Sequence, residues 1–219
     1  SESDGGTATI TASLDNAPET ELVVTLSNGA TITFAAGATT ATSTAFAINN
    51  DEDVYVDGSS FELSVSSTSG GNFENLVTTD TSTVTVNDTT DTTTVTLASS
   101  AVNEGADITI TASVDNAPQT DLVVTLSNGE TLTILAGATS GTVTFTNPNA
   151  DDVYVDGETL TYSITGTSGG NYESLNTSST VDVVVSDTTD DTTLTLNDVT
   201  VSESDGGTAT ITASLDNAP

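Results

Sequence analysis

Apolar and polar residues alternate with a period of two along most of the chain. Thr94-Val-Thr-Leu97, Ile108-Thr-Ile-Thr-Ala112, Leu122-Val-Val-Thr-Leu126 and Thr131-Leu-Thr-Ile134 set apolar side chains against Thr. Thr142-Val-Thr-Phe145, Leu160-Thr-Tyr-Ser-Ile164 and Val181-Asp-Val-Val-Val185 continue the pattern. Alternation of this kind gives a strand one buried and one wetted face, so seven strands are predicted. Turn residues separate them. Asn128-Gly129 predicts a two-residue hairpin with positive φ at both positions, and Asp115-Asn-Ala-Pro118 and Gly169-Gly-Asn171 break other runs. Seven short strands in about 100 residues predict an all-β, immunoglobulin-like β-sandwich. The abundant Thr residues read as the solvated strand faces. They are scattered over many strands, whereas an ice-binding or O-glycosylated face would rank them on one flat sheet.

The pattern repeats. Asp53-Val-Tyr-Val-Asp-Gly58 returns as Asp152-Val-Tyr-Val-Asp-Gly157, and Asp88-Thr-Thr-Asp91 as Asp187-Thr-Thr-Asp190. Ser69-Gly-Gly-Asn-Phe-Glu-Asn-Leu76 returns as Ser168-Gly-Gly-Asn-Tyr-Glu-Ser-Leu175, and residues 1–18 return unchanged as 202–219. A period near 100 residues is that of a tandem array of sandwich modules. If Asp-Thr-Thr-Asp closes each module, residues 1–91 are a first repeat lacking its opening strand and 92–190 a second, complete repeat. Residues 191–219 are then the N-terminal fragment of a third, holding the opening strand Leu194-Thr-Leu-Asn197. Two accounts of the incomplete ends stand: a piece cut from a longer array, or head-to-tail self-association in which residues 192–198 of one copy complete the open sandwich of the next.

Composition removes whole classes of function. The 219 residues include 32 Asp and Glu but no Lys, Arg, His or Cys, for a formal charge of −32. No side-chain salt bridge can form, and self-repulsion opposes compaction. Nucleic-acid binding and attraction to anionic lipid both need cationic side chains and are excluded. Without Cys or His there is no disulfide, no thiol or imidazole chemistry and no zinc, haem or copper site. No apolar run approaches a membrane span and no signal peptide is visible, so a mature or excised segment without membrane insertion is expected. Nor is an enzyme expected. Carboxylates duplicated in every repeat of a narrow sandwich do not make a glycosidase pair in a sugar-sized cleft. Most Phe and Tyr occupy apolar strand positions; Tyr55 and Tyr154 sit in acidic loops and are the candidates for an alternative role in glycan or peptide binding.

Alternating strand direction sorts the acids. Asn103-Glu104-Gly105, the loop from Asn147 to Gly157 and the exit segment from Asp187 to Asp191 gather at one end of the complete module. Asp115-Asn-Ala-Pro118 and the segment from Gly169 to Glu173 gather at the other. In a tandem chain unlike ends meet, so Asp51, Glu52, Asp53, Asp57, Asp88 and Asp91 are expected to face Asp115 and Asn116. Close carboxylate pairs repel by roughly 1–4 kcal/mol depending on the effective dielectric. A cation must neutralise them, and an all-oxygen donor set in flexible loops suits calcium better than magnesium. The alternative is that these acids merely solvate the surface; their recurrence at module boundaries favours calcium.

The Asp-Val-Tyr-Val-Asp-Gly loop, the Ser-Gly-Gly-Asn-(Phe/Tyr)-Glu segment and the Asp-Thr-Thr-Asp boundary resemble the extender repeats of giant bacterial RTX adhesins. That group includes the Lap-type biofilm adhesins and the repeat region of a marine ice-binding adhesin. The resemblance implies tandem immunoglobulin-like modules stiffened by Ca2+, exported by type I secretion to the bacterial cell surface. It implies a structural spacer that projects terminal adhesive domains for surface attachment and biofilm, with neighbouring repeats of the same chain as partners. The metal ligands it implies are Asp53, Asp57, Asp88 and Asp91, and their counterparts Asp152, Asp156, Asp187 and Asp190; Asp115 joins them from the expected junction.

Overall fold

The structure, a computed structural model, describes residues 6–48, 52–203, 206 and 208–219. Its regular elements are strands, and it divides into two compact units, Ser1–Thr92 with Asn171–Ser174 and Thr93–Gly170 with Leu175–Pro219. In the first unit the strands are β1 (Thr7–Ala8), β2 (Thr11–Ser13), β3 (Leu22–Leu26), β4 (Thr31–Phe34), β5 (Thr40–Thr42), β6 (Phe46–Ala47), β7 (Ser59–Gly70) and β8 (Thr81–Val86). They continue as β9 (Thr92–Ser99), β10 (Val102–Asn103), β11 (Ile108–Val114), β12 (Leu122–Leu126), β13 (Thr131–Ile134), β14 (Ser140–Phe145), β15 (Glu158–Gly169), β16 (Ser174–Asn176) and β17 (Thr180–Ser186). Two short strands follow, β18 (Leu194–Leu196) and β19 (Ala213–Leu215).

In the second unit one sheet runs β10-β17-β15-β12-β13 and the other β14-β11-β9-β16. The period-two pattern acts as expected: β9 buries Thr93, Val95 and Leu97 and exposes alternate residues, and β11 buries Ile108, Ile110, Ala112 and Val114. The other sheet contributes Leu122, Val124, Leu126, Leu132, Ile134, Tyr162, Val183 and Val185 to the buried set. The result is an all-β, sandwich-like module of curled sheets, with β11 antiparallel to β9 and β14, β12 to β13 and β15, and β15 to β17, while β10 runs parallel to β17. Each of the seven anticipated stretches lies within an observed strand. β15 extends well beyond the anticipated 160–164, reaching 12 residues. β10 and β16 went unanticipated because two or three residues carry no readable period.

The Asn128-Gly129 turn corrects the expectation. Gly129 alone has positive φ, at 88°, and its N–H donates to the Leu126 carbonyl. Asn128 stays in the ordinary region because its Oδ1 accepts the Glu130 N–H at 3.1 Å. This is a longer hairpin ending in a single left-handed glycine, not a two-residue turn with two left-handed residues.

The first unit repeats the five-stranded layer in part, as β4-β3-β7-β8, over Leu22, Val24, Leu26, Ile32, Phe34 and Leu63. Its opposite layer is broken into two pairs, β1 with β6 and β2 with β5.

Candidate metal centre

The centre lies at one end of the second unit, and backbone pairing builds it. β10 runs alongside β17, with Val102 opposite Val185 and Asn103 opposite Ser186. The Glu104 N–H then donates to the Ser186 carbonyl at 3.0 Å. Glu104 is thereby delivered beside Asp187 and Thr188, where the chain leaves β17. The loop before β15 closes over the same point. Gly105 donates its N–H to the Asn149 carbonyl at 2.9 Å. A Cβ at Gly105 would stand 2.8 Å from the Asp151 Cβ, and its φ of +68° is left-handed, so glycine permits the approach. Buried Asn147 accepts the Asn149 N–H on Oδ1 at 3.1 Å and donates Nδ2 to the Asn103 carbonyl at 3.3 Å. Asn149 Nδ2 in turn donates to the Asp156 carbonyl at 3.2 Å.

Glu104 is the hub, and only 4% of its surface is exposed. One carboxylate oxygen, Oε1, accepts the Thr188 N–H at 2.6 Å and the Thr188 hydroxyl at 2.7 Å. These two donors hold its pKa below the ordinary glutamate value despite the opposing effect of burial. The other oxygen, Oε2, is buried with no hydrogen-bond partner, and so is Asn149 Oδ1. Around this hub oxygens of Asp156 and Asp187 lie within 4.8 Å of one another and of Glu104, as do those of Asp151 and Asp190. The Asp156 N–H also reaches Asp187 Oδ1 at 3.2 Å, and the Thr188 hydroxyl reaches Asp151 Oδ1 at 2.9 Å.

An ionised carboxylate oxygen buried without a donor is costly, and four further carboxylates beside it raise that cost. The chain has no cationic side chain to offset it. Oxygens that share a calcium ion at 2.3–2.6 Å lie at most about 5 Å apart, so the donor set fits a hard divalent cation by spacing, charge and chemistry. Glu104, Asp151, Asp156, Asp187 and Asp190 could hold one, with Asn149 Oδ1 as a neutral oxygen nearby.

Of the sequence-predicted residues, the structure brings together Asp156, Asp187 and Asp190. Asp152 is turned to another use: its Oδ1 accepts the Tyr154 N–H at 2.8 Å in a local turn. Asp115 stands on the turn after β11, where its Oδ1 accepts the Thr94 N–H at 2.9 Å. In the first unit Asp53 makes the same local turn, accepting the Tyr55 N–H at 2.7 Å. Glu52 accepts the Thr89 hydroxyl at 2.8 Å, as Asp151 does that of Thr188. Asp88 and Asp91 are half-buried and Asp57 exposed; within the same unit the Asp91 N–H donates to Glu173 Oε2 at 2.5 Å, and Asp88 Oδ1 and Glu173 Oε1 are both buried without a hydrogen-bond partner. Asp51, and the first unit's sequence counterpart of Glu104, Asp4, lie outside the described residues.

Sequence reasoning missed Glu104 and Asp151 as candidate ligands. Glu104 had a signal, an acid followed by glycine between two strands at the acidic end. In Asp151-Asp152 the local turn to Tyr154 occupies the second residue, while the first accepts the Thr188 hydroxyl beside Glu104.

The LapA domain pattern matches residues 1–89 and again 91–188. No curated protein matches the chain. An all-β chain matched over nearly its whole length in this way belongs to the LapA domain family, a non-enzymatic, extracellular adhesin-type module.

Proposed function

We propose that the chain is a calcium-rigidified spacer: tandem immunoglobulin-like modules of a bacterial surface adhesin, holding terminal adhesive domains away from the cell. The observation that carries the calcium part is Glu104, whose Oε2 is buried without a donor and whose carboxylate has an oxygen within 4.8 Å of Asp156 and Asp187 and of Asp151 and Asp190. A divalent ion there ties the exit segment after β17 to the loop before β15 and to Glu104, three pieces of chain that Thr188 and Asp187 already join by hydrogen bonds. The exit segment leads into the next stretch of chain, so fixing it removes freedom from a short, charged hinge. Spacing comes from strand length: the 12 residues of β15 span roughly 40 Å at about 3.3 Å each. The Asp88-Thr-Thr-Asp91 segment plays the same part after the first module in this reading.

Extracellular calcium modules bind at about 10⁻⁴–10⁻³ M, so the sites fill outside the cell and stay empty in the cytosol. Isothermal calorimetry on the 219-residue chain tests the reading, and calcium uptake in that range is expected. Small-angle scattering should show a shorter maximum dimension after chelation. No heat of binding, or scattering unchanged by chelator, would remove the calcium-stiffened spacer.

A further inference from the structure

Two stretches of the chain read Asn-x-Ser/Thr: Asn87-Asp-Thr89 and Asn176-Thr-Ser178. An asparagine in this tripeptide can accept a sugar on its side-chain nitrogen, provided that the segment is accessible. Both asparagines are exposed, but their surroundings differ. Ser178 closes back onto Asn176: its N–H donates to Asn176 Oδ1 at 3.2 Å, and its hydroxyl donates to the same oxygen at 2.8 Å. Among the described residues nothing bonds Asn176 Nδ2. At the other tripeptide the Thr89 hydroxyl donates to Glu52 Oε1 at 2.8 Å, so it is not given to Asn87.

The fold holds Asn176 in place. β16 ends at Asn176 on the edge of its sheet, beside β9, and β17 begins at Thr180 in the other sheet. Ser179 Oγ accepts the Leu97 N–H at 3.0 Å and pins the crossing between the layers. The crossing itself does not require asparagine, since the first unit reaches β8 through Val77-Thr-Thr79. An amide nitrogen is a poor nucleophile because its lone pair is shared with the carbonyl. Two donors on Oδ1 draw charge toward that oxygen and make the Nδ2 protons easier to remove, while Nδ2 stays the free end of the side chain.

We propose that Asn176 is an acceptor for an N-linked glycan, taking its sugar from a donor with a diphosphate leaving group. Nδ2 attacks the anomeric carbon and forms the new C–N bond, while a base of the transferase removes one Nδ2 proton. The bond from that carbon to the diphosphate oxygen breaks, and the diphosphate leaves with the electron pair. A nucleoside-diphosphate sugar and a lipid-diphosphate sugar supply the same chemistry at Asn176. The folded second unit presents this acceptor, and Asn87 is not one, because its threonine hydroxyl is committed to Glu52. A bulky hydrated group on Asn176 stands at the end of an edge strand, where it hinders pairing with strands of other molecules. Calcium plays no part, so this inference and the spacer reading fail separately.

Intact-mass spectrometry and peptide mapping of the folded 219-residue chain test the proposal in two arms. One arm uses a soluble Asn-x-Ser/Thr transferase with UDP-glucose, the other a membrane oligosaccharyltransferase with a lipid-diphosphate oligosaccharide. Each enzyme is chosen for modifying free peptides of residues 172–182 and 83–93, so that acceptance of both tripeptides outside the fold is given. The folded chain should gain one glycan on Asn176, about 162 Da where the sugar is a single glucose, in at least one arm. The arm that succeeds identifies the donor. Asn176→Gln and Ser178→Ala should lose the glycan, whereas Ser178→Thr and Asn87→Gln should keep it; all four sites are at the surface, and unchanged melting shows that the variants fold. A folded chain left unmodified in both arms overturns the proposal. So does a glycan on Asn87 in preference to Asn176, or one that survives Ser178→Ala.

Discussion

At Glu104 and Asp152 the same chemical group has opposite prospects, and the difference lies in what each carboxylate already touches. Glu104 spends one oxygen on Thr188 and keeps the other buried without a donor, whereas Asp152 has closed a turn onto Tyr154. Glu104→Gln should therefore weaken calcium binding about tenfold or more, since site affinity follows ligand charge. Asp152→Asn, which keeps an oxygen for the turn, should change it by less than about threefold; calorimetry on both variants checks the contrast. The sequence gathered Glu104, Asp156, Asp187 and Asp190 at one end of the module, where the structure also brings them together, because charge and turn residues are readable one position at a time. It did not distinguish Asp151 from Asp152, because that depends on which carboxylate the folded loop sets beside Thr188 and Glu104 and which it spends on the turn to Tyr154. A second residue-scale effect sits in the core. Burial, aided by the negative charge of Glu158, raises the pKa of Tyr162, whose ring meets Phe145 edge-on at 5.4 Å. With the folded value above the ordinary 10.0, its contribution to stability is complete below pH 10.0 and is lost as pH rises from there through the folded value. Thermal melts of the second unit should decline over that alkaline window, and Tyr162→Phe should make the decline shallower.

Elements depend on backbone conformation as much as on side-chain pattern. Gly169 ends β15 with φ +83°, and a Cβ there would stand 2.1 Å from the Asp121 carbonyl oxygen. Gly129 has a similar φ of +88° but nothing within 4 Å of a Cβ. Substituting alanine separates the two costs. Gly129→Ala should lose about 1 kcal/mol from the left-handed conformation alone. Gly169→Ala adds a backbone clash to the same strain and should lose about 3 kcal/mol or more; denaturant melts give both values. Gly70 holds the equivalent place in the first unit, where an added Cβ would stand 2.1 Å from the Glu21 carbonyl oxygen, so Ser-Gly-Gly-Asn recurs for a steric reason. The strands were legible because alternating Thr and Val encode a half-buried face directly. The Asn128-Gly129 hairpin was legible only as a turn. Its type was settled by the Asn128 side chain bonding to Glu130, a choice that the dipeptide does not specify. The parallel pairing of β10 with β17, which carries Glu104 into place, joins residues far apart in sequence and leaves no local trace.

At the scale of the whole molecule, a charge of −32 with no positive side chain makes stability a property of solution as well as sequence. Two effects of added salt are separable. Monovalent salt shortens the Debye length from about 30 Å at 0.01 M to about 3 Å at 1 M, which weakens repulsion among all 32 acids together. Melting temperature should climb gradually over that range without saturating at any stoichiometry. Millimolar calcium screens very little, so whatever it does beyond an equal ionic strength of sodium chloride comes from occupied sites. At a hundredfold excess over Kd, a single site adds about 2.7 kcal/mol, which for a module of this size is a rise on the order of 10 °C. The second unit should show this saturable increment in full, and Glu104→Gln should abolish most of it while leaving the sodium chloride dependence intact. If calcium and sodium chloride at matched ionic strength give the same melting curve, the carboxylates around Glu104 act only as part of the general charge. If calcium alone gives the increment and the substitution erases it, the site is specific and the remaining acids set the background against which it operates.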